Sequence, residues 1–171
     1  MFIDAGYETA AVAAYIRTYP INEFKRFMCF GRGTTQIGPE KYTQPKTKTK
    51  LIKHIGHRYF MIWDKKDQQL HVYLDSDFWK SFLHQRLGCA RDEAGAMVIH
   101  RAKSANAHLP FTKQLLAEIR QEEFIPGRGT VSKFVKKHGN NHYGDAGYLA
   151  CAAAHFKNVR IIQPEDHDRP T

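Results

Sequence analysis

Short β-rich runs alternate with helical runs along this chain, and that alternation is its strongest constraint on fold. Met1-Phe2-Ile3 is apolar and runs directly into Asp4, like the end of a strand. Asp4-Ala5-Gly6 turns the chain, and Glu8 to Tyr19 has the pattern of an Ala-rich helix stopped by Pro20. Phe24 to Phe30 predicts a second strand, closed by Gly31-Arg32-Gly33. Arg58 to Trp63 and Gln69 to Leu74 predict a hairpin, joined by the polar link Asp64-Lys65-Lys66-Asp67. A helix is predicted over Phe78 to Leu87, a short strand over Met97 to His100, and an amphipathic helix over Pro110 to Glu123. A strand over Val131 to Val135 and an Ala-rich helix over Tyr143 to Phe156 complete the order. Strands and helices mixed in this way predict an α/β domain with a mixed central sheet flanked by helices.

At 171 residues the chain has the size of one domain. We take 1–163 as that domain and 164–171 as a polar C-terminal tail. No window approaches a membrane-spanning length of apolar residues, and the N-terminus lacks the basic and apolar regions of a signal peptide. Cys29, Cys89 and Cys151 are widely spaced and odd in number. They argue against a disulfide framework or a CxxC zinc site and favour a reducing cytoplasm. Lysine and arginine total 26 against 17 acidic residues, a net charge of +9. That excess points to a polyanionic partner, with nucleic acid first. The polar stretch Thr34 to Lys53, with lysines at 46, 48, 50 and 53, is expected to be an exposed basic loop, free to contact phosphates or simply solvated.

Against this basic background the acidic positions stand out. Asp4 follows a strand and precedes a glycine turn, so it either caps the next helix or holds a divalent cation at a strand's carboxyl end. Asp75 and Asp77 end the clearest strand. One can cap the next helix, and two carboxylates so close need an offsetting charge, either Lys80 or a metal. Asp145 opens an otherwise uncharged helix, where the helix dipole or a ligand role would account for it. Hard oxygen ligands select Mg²⁺ or Mn²⁺, and acidic groups at element ends in a basic protein suit two-metal phosphodiester hydrolysis.

Other readings carry less. Asp64 and Asp67 fall in the hairpin link and are expected to be solvated. The ten histidines lack HExxH spacing; His100 is expected at a strand edge, and His142 has either a substrate or a structural role. GxSxG and GxxxxGK[ST] are absent, which argues against a serine hydrolase and an ATPase.

Phe2-Ile3-Asp4-Ala5-Gly6-Tyr7-Glu8-Thr9, Phe30-Gly31-Arg32-Gly33, Asp77-Phe78-Trp79-Lys80 and Asn141-His142-Tyr143-Gly144-Asp145-Ala146 occur in this order. Together they resemble the nuclease domain of lambda-type phage terminase large subunits, over residues 2 to about 156. The resemblance implies an RNase H-like fold and an endonuclease that cuts concatemeric double-stranded DNA during genome packaging in a bacterial host. It implies an acidic triad of Asp4, then Asp77 or Asp75, then Asp145, binding two Mg²⁺ or Mn²⁺ ions. An ungapped match through Lys80 selects Asp77, whereas strand geometry selects Asp75. Lys80, Arg101 and Lys103 are the expected phosphate contacts. In the intact system the resemblance also implies an ATPase domain, a small subunit and a portal. No ATPase motif is present, which leads to the expectation of an excised domain or a truncated prophage gene. Two alternatives stand beside it: another RNase H-like enzyme such as a resolvase or transposase, and an inactive DNA-binding prophage remnant.

Overall fold

The computed structural model describes residues 1–18, 25–38, 42, 52–104 and 106–159, and only the backbone of 52–55. Seven strands and four helices lie within these residues. In chain order they are β1 (Phe2–Asp4), α1 (Thr9–Thr18), β2 (Phe27–Arg32), β3 (Ile52–Gly56), β4 (Tyr59–Asp64) and β5 (Gln69–Asp75), then α2 (Ser76–Gly88), α3 (Leu109–Leu115), β6 (Glu118–Ile125), β7 (Gly129–Lys136) and α4 (His142–Phe156). Five strands form one mixed sheet in the order β1-β2-β5-β4-β3. β1, β2 and β5 are parallel, whereas β5, β4 and β3 form an antiparallel meander. The expected mixed α/β architecture is therefore present.

The sheet is buried on both faces because β2 is apolar at every position of Phe27-Met28-Cys29-Phe30, all of them buried. Side chains alternate across a strand. Phe27 and Cys29 join Val72, Leu74, Trp79, Leu83, Tyr148 and Leu149 beneath α2 and α4. Met28 and Phe30 meet Ala5 and Ala13 beneath α1. The Ala-rich sequences of α1 and α4 let both helices lie close to the sheet.

Three expectations change. The helix predicted over Pro110 to Glu123 ends at Leu115, and Glu118 onward is a strand paired with β7. Leu115, Leu116 and Ile119 mimic a helical stripe, but the turn at Pro126-Gly127-Arg128-Gly129 brings two runs together, with Ile119 opposite Val135. Gly127 and Gly129 have φ of 79° and 76°, which glycine adopts at low cost. Met97 to His100 joins no strand, although the Met97 amide donates to the Arg86 carbonyl at 2.8 Å. β3, which begins at Ile52, takes the end of the expected basic loop into the sheet. The lysines at 46, 48 and 50 and the tail 164–171 lie outside the described residues. Among the described residues, no helix is long and apolar enough to cross a membrane.

Candidate functional site

Because β1, β2 and β5 are parallel, Asp4 and Asp75 end strands at the same edge of the sheet. Register separates them. Asp4 pairs with Cys29 and Cys29 with Val72, so Asp75 lies further along its strand by three residues. With a rise of ~3.3 Å per residue and strands ~4.8 Å apart, their Cα atoms are roughly 14 Å from one another. The expected acidic set accordingly divides between two pockets.

Asp75 and Asp77 belong to the first. Asp75, 1% exposed, caps α2 by accepting a hydrogen bond from the Phe78 amide at 3.1 Å. Its other oxygen lies 3.5 Å from Arg58 Nη1. Burial raises the pKa of this carboxyl, with the Phe78 amide and Arg58 acting in the opposite direction. Asp77 is more fully engaged. Its Oδ2 accepts from the Thr34 amide at 2.7 Å and the Thr34 hydroxyl at 2.8 Å, and its Oδ1 accepts from the Phe134 amide at 2.8 Å. It therefore ties the turn after β2 and strand β7 to the start of α2. Gly33 is part of this joint, since a Cβ there would stand 2.7 Å from Asp77 Oδ2.

Asp4 and Asp145 line the second pocket, with His142, Tyr15 and Ala146. Asp4 Oδ1 accepts from the Gly6 amide at 3.0 Å. Asp145 lies in the first turn of α4. The Asn141 side-chain amide donates to its Oδ2 at 2.9 Å, and Lys80 Nζ lies 3.0 Å from its Oδ1. The same ammonium donates to both carboxylate oxygens of Glu118, at 2.9 and 2.7 Å. It also stands 5.4 Å from the centre of the Tyr148 ring. Lys80 and Glu118 are each 12% exposed, so the pairing is made with little water.

Electrostatics follow from this enclosure. Burial by itself would lower the Lys80 pKa, but the Asp145 charge and the Glu118 hydrogen bond outweigh it and raise the value. For Asp145, burial dominates and raises the pKa, with Lys80 pulling the other way and Glu118 and Asp4 adding to the rise. Burial and then the Asp145 and Asp4 charges push the Tyr148 hydroxyl well above its ordinary value. That hydroxyl fits only because residue 31 is glycine, since a Cβ there would collide with it.

The structure thus brings Asp4, Asp145 and Lys80 to one region and adds Glu118. Glu118 does not stand out in the sequence, because it falls inside the segment expected to be helix; the structure places it at the start of β6. Lys80, expected as a phosphate contact, is paired with the carboxylates of Glu118 and Asp145. Arg101 and Lys103 are exposed. Arg101 borders a different cavity, between the end of α2 and α3, beside His100. Among the described residues, Asp4, Asp75, Asp77 and Asp145 do not supply three ligand atoms within 4.8 Å of one another. All four carboxylates are hard oxygen donors of the kind a divalent ion takes; Asp77 is the most fully engaged by protein hydrogen bonds, while Asp75 and Asp145 each have one hydrogen bond and one cationic neighbour. Comparison with family models, with curated proteins and with solved structures returns no match.

Proposed function

We propose that this chain is a metal-dependent endonuclease acting on double-stranded DNA, an RNase H-like relative of the terminase large-subunit nucleases. The observation that carries the reading is the shared pocket of Asp4 and Asp145, acidic residues from opposite ends of a chain of net charge +9. An acidic pocket in a basic protein is what phosphodiester hydrolysis requires: cationic surface for the DNA backbone and oxygen ligands for a cation at the scissile phosphate.

In this reading Asp4 and Asp145 hold Mg²⁺ or Mn²⁺, and a bound ion supplies an activated water and neutralises charge on the phosphate. The chain's own groups prepare the site. Asn141 fixes one oxygen of Asp145, and Lys80 fixes the other. Lys80 also neutralises Glu118, so the carboxylates pack at low mutual repulsion before any ion arrives. Asp75 and Asp77 serve the site indirectly, by anchoring the start of the helix that carries Lys80.

The test is cleavage of supercoiled plasmid with Mn²⁺ or Mg²⁺, comparing wild type with Asp4→Ala and Asp145→Ala. Nicking that needs the metal and disappears in both variants is the expected result. Cleavage that survives both substitutions, or none by the wild type, overturns the reading. One observation favours the alternative of a DNA-binding protein without cleavage: Lys80 already occupies Asp145 and Glu118. That alternative requires salt-dependent DNA binding with no metal-dependent nicking.

A further inference from the structure

A second cluster of potential metal ligands lies at the turn between β4 and β5. Asp64, Asp67 and His71 each offer a ligand atom, and these atoms all lie within 4.8 Å of one another. Local geometry assembles them. Asp64 ends β4, and its Oδ1 accepts from the amides of Lys66 and Asp67, both at 2.9 Å. This folds the turn so that Asp67 comes back toward β5. Gln68, with φ of 52°, completes the reversal. Strand pairing sets Ile62 opposite His71, which brings the imidazole beneath the turn.

His71 supplies the independent indication of a ligand. Its side chain is only 6% exposed, and its Nε2 is buried without a hydrogen-bond partner. Asp67 Oδ2 is 3.2 Å from that nitrogen, yet the pair does not meet hydrogen-bond geometry. A buried imidazole nitrogen left in this state is costly unless something else satisfies it. Two residues earlier on the same face, Gln69 has its Oε1 buried and unpartnered as well, while its amide donates to the Ala13 carbonyl at 3.3 Å. The cluster lies on the face covered by α1, where His71 packs against Phe30, with ring centres 5.1 Å apart. The Asp4–Asp145 pocket lies at the β1 edge of the sheet, with β2 between it and the β4–β5 hairpin, so the two sites are separate.

We infer that Asp64, Asp67 and His71 form a binding site for a borderline divalent transition metal, Zn²⁺ foremost. One imidazole nitrogen with two carboxylates is a mixed N/O donor set suited to such an ion, in contrast to the carboxylate pair Asp4 and Asp145. Three protein ligands leave a coordination position for water. The ion clamps the β4–β5 turn to the sheet and satisfies the His71 nitrogen.

The experiment uses the full chain and Zn²⁺ alone. Anomalous diffraction at the zinc edge from soaked wild-type crystals is expected to show an ion at roughly 2.0–2.2 Å from His71 Nε2 and the two carboxylates. In solution, Asp64→Asn and Asp67→Asn together are expected to lose one equivalent of bound zinc relative to wild type, by calorimetry. Asn keeps an acceptor at position 64, so the turn persists, and circular dichroism checks this without metal. Asp4→Ala with Asp145→Ala is expected to retain that equivalent, which separates this site from the proposed nuclease centre. Absence of anomalous density at the turn, or unchanged zinc stoichiometry in the Asn variant, overturns the proposal.

Discussion

Lys80 Nζ stands 3.0 Å from Asp145 Oδ1 while donating to both oxygens of Glu118, so one ammonium joins α2, β6 and α4. These elements are far apart in sequence. Removing one member of such a buried set leaves uncompensated charge.

Lys80→Met is therefore expected to destabilise the fold by about 3 kcal/mol, the low end for a buried pair because Asp145 keeps some exposure. Urea denaturation measures this. In the proposed function, Mn²⁺ should then raise the melting temperature of the variant more than that of wild type, because two carboxylates are left without their cation. Equal urea midpoints for variant and wild type would contradict the structural role of Lys80.

Asp77→Ala strands three donors, the Thr34 amide, the Thr34 hydroxyl and the Phe134 amide. The expected cost is about 3–5 kcal/mol, since hydrogen bonds to a charged acceptor are worth more than neutral ones. The urea midpoint should fall with an unchanged slope. A variant as stable as wild type, but impaired only in metal binding, would return Asp77 to the ligand set.

Stability should also depend on pH through Asp75. Burial raises its folded pKa, so the folded state holds the proton more tightly than the unfolded state does. Its contribution to stability is full below the ordinary carboxylate range and is lost as pH rises through the raised value. Asp75→Asn keeps an N-cap acceptor and removes the titration. Relative to wild type, the Asn variant should gain stability as pH rises through that window, in urea series at successive pH values. A difference that stays flat with pH would refute this.

On the alkaline side the sign for Lys80 is worked out in the same way. Its folded pKa is raised, so its stabilisation is complete below the ordinary lysine value and disappears as pH climbs through the higher one. Wild type should lose stability steeply in that range, and Lys80→Met should lack that component of the slope.

Gly31 and Tyr148 offer a packing test. Gly31→Ala drives a methyl group into the Tyr148 hydroxyl and should cost about 1–3 kcal/mol. In a Tyr148→Phe background the cost should shrink, because the colliding oxygen is gone. A double-mutant cycle with no coupling would show that the helix moves aside instead.

The elements most legible in the sequence are those whose information is local. The β-rich runs Tyr59–Asp64 and Gln69–Asp75 and the alanine-rich runs of α1 and α4 are legible because aromatic and β-branched residues favour strands and alanine favours helix. The segment Glu118–Ile125 was not, because its conformation is decided by pairing with β7 rather than by its own pattern. In the candidate site, Asp4 and Asp145 were picked out by their places at element ends, and the structure brings them to one pocket. Glu118 was missed along with the strand that carries it.

The sequence alone determined the mixed α/β class, the charge balance and the positions of the acidic residues at element ends. Only the tertiary structure decided which donors each carboxylate meets. Asp75 and Asp77 are spent on Phe78, Thr34, Phe134 and Arg58, while Asp145 shares Lys80 with Glu118. The reason is physical: a carboxylate's character depends on burial and on neighbours within a few ångströms, and those neighbours come from strands and helices distant along the chain.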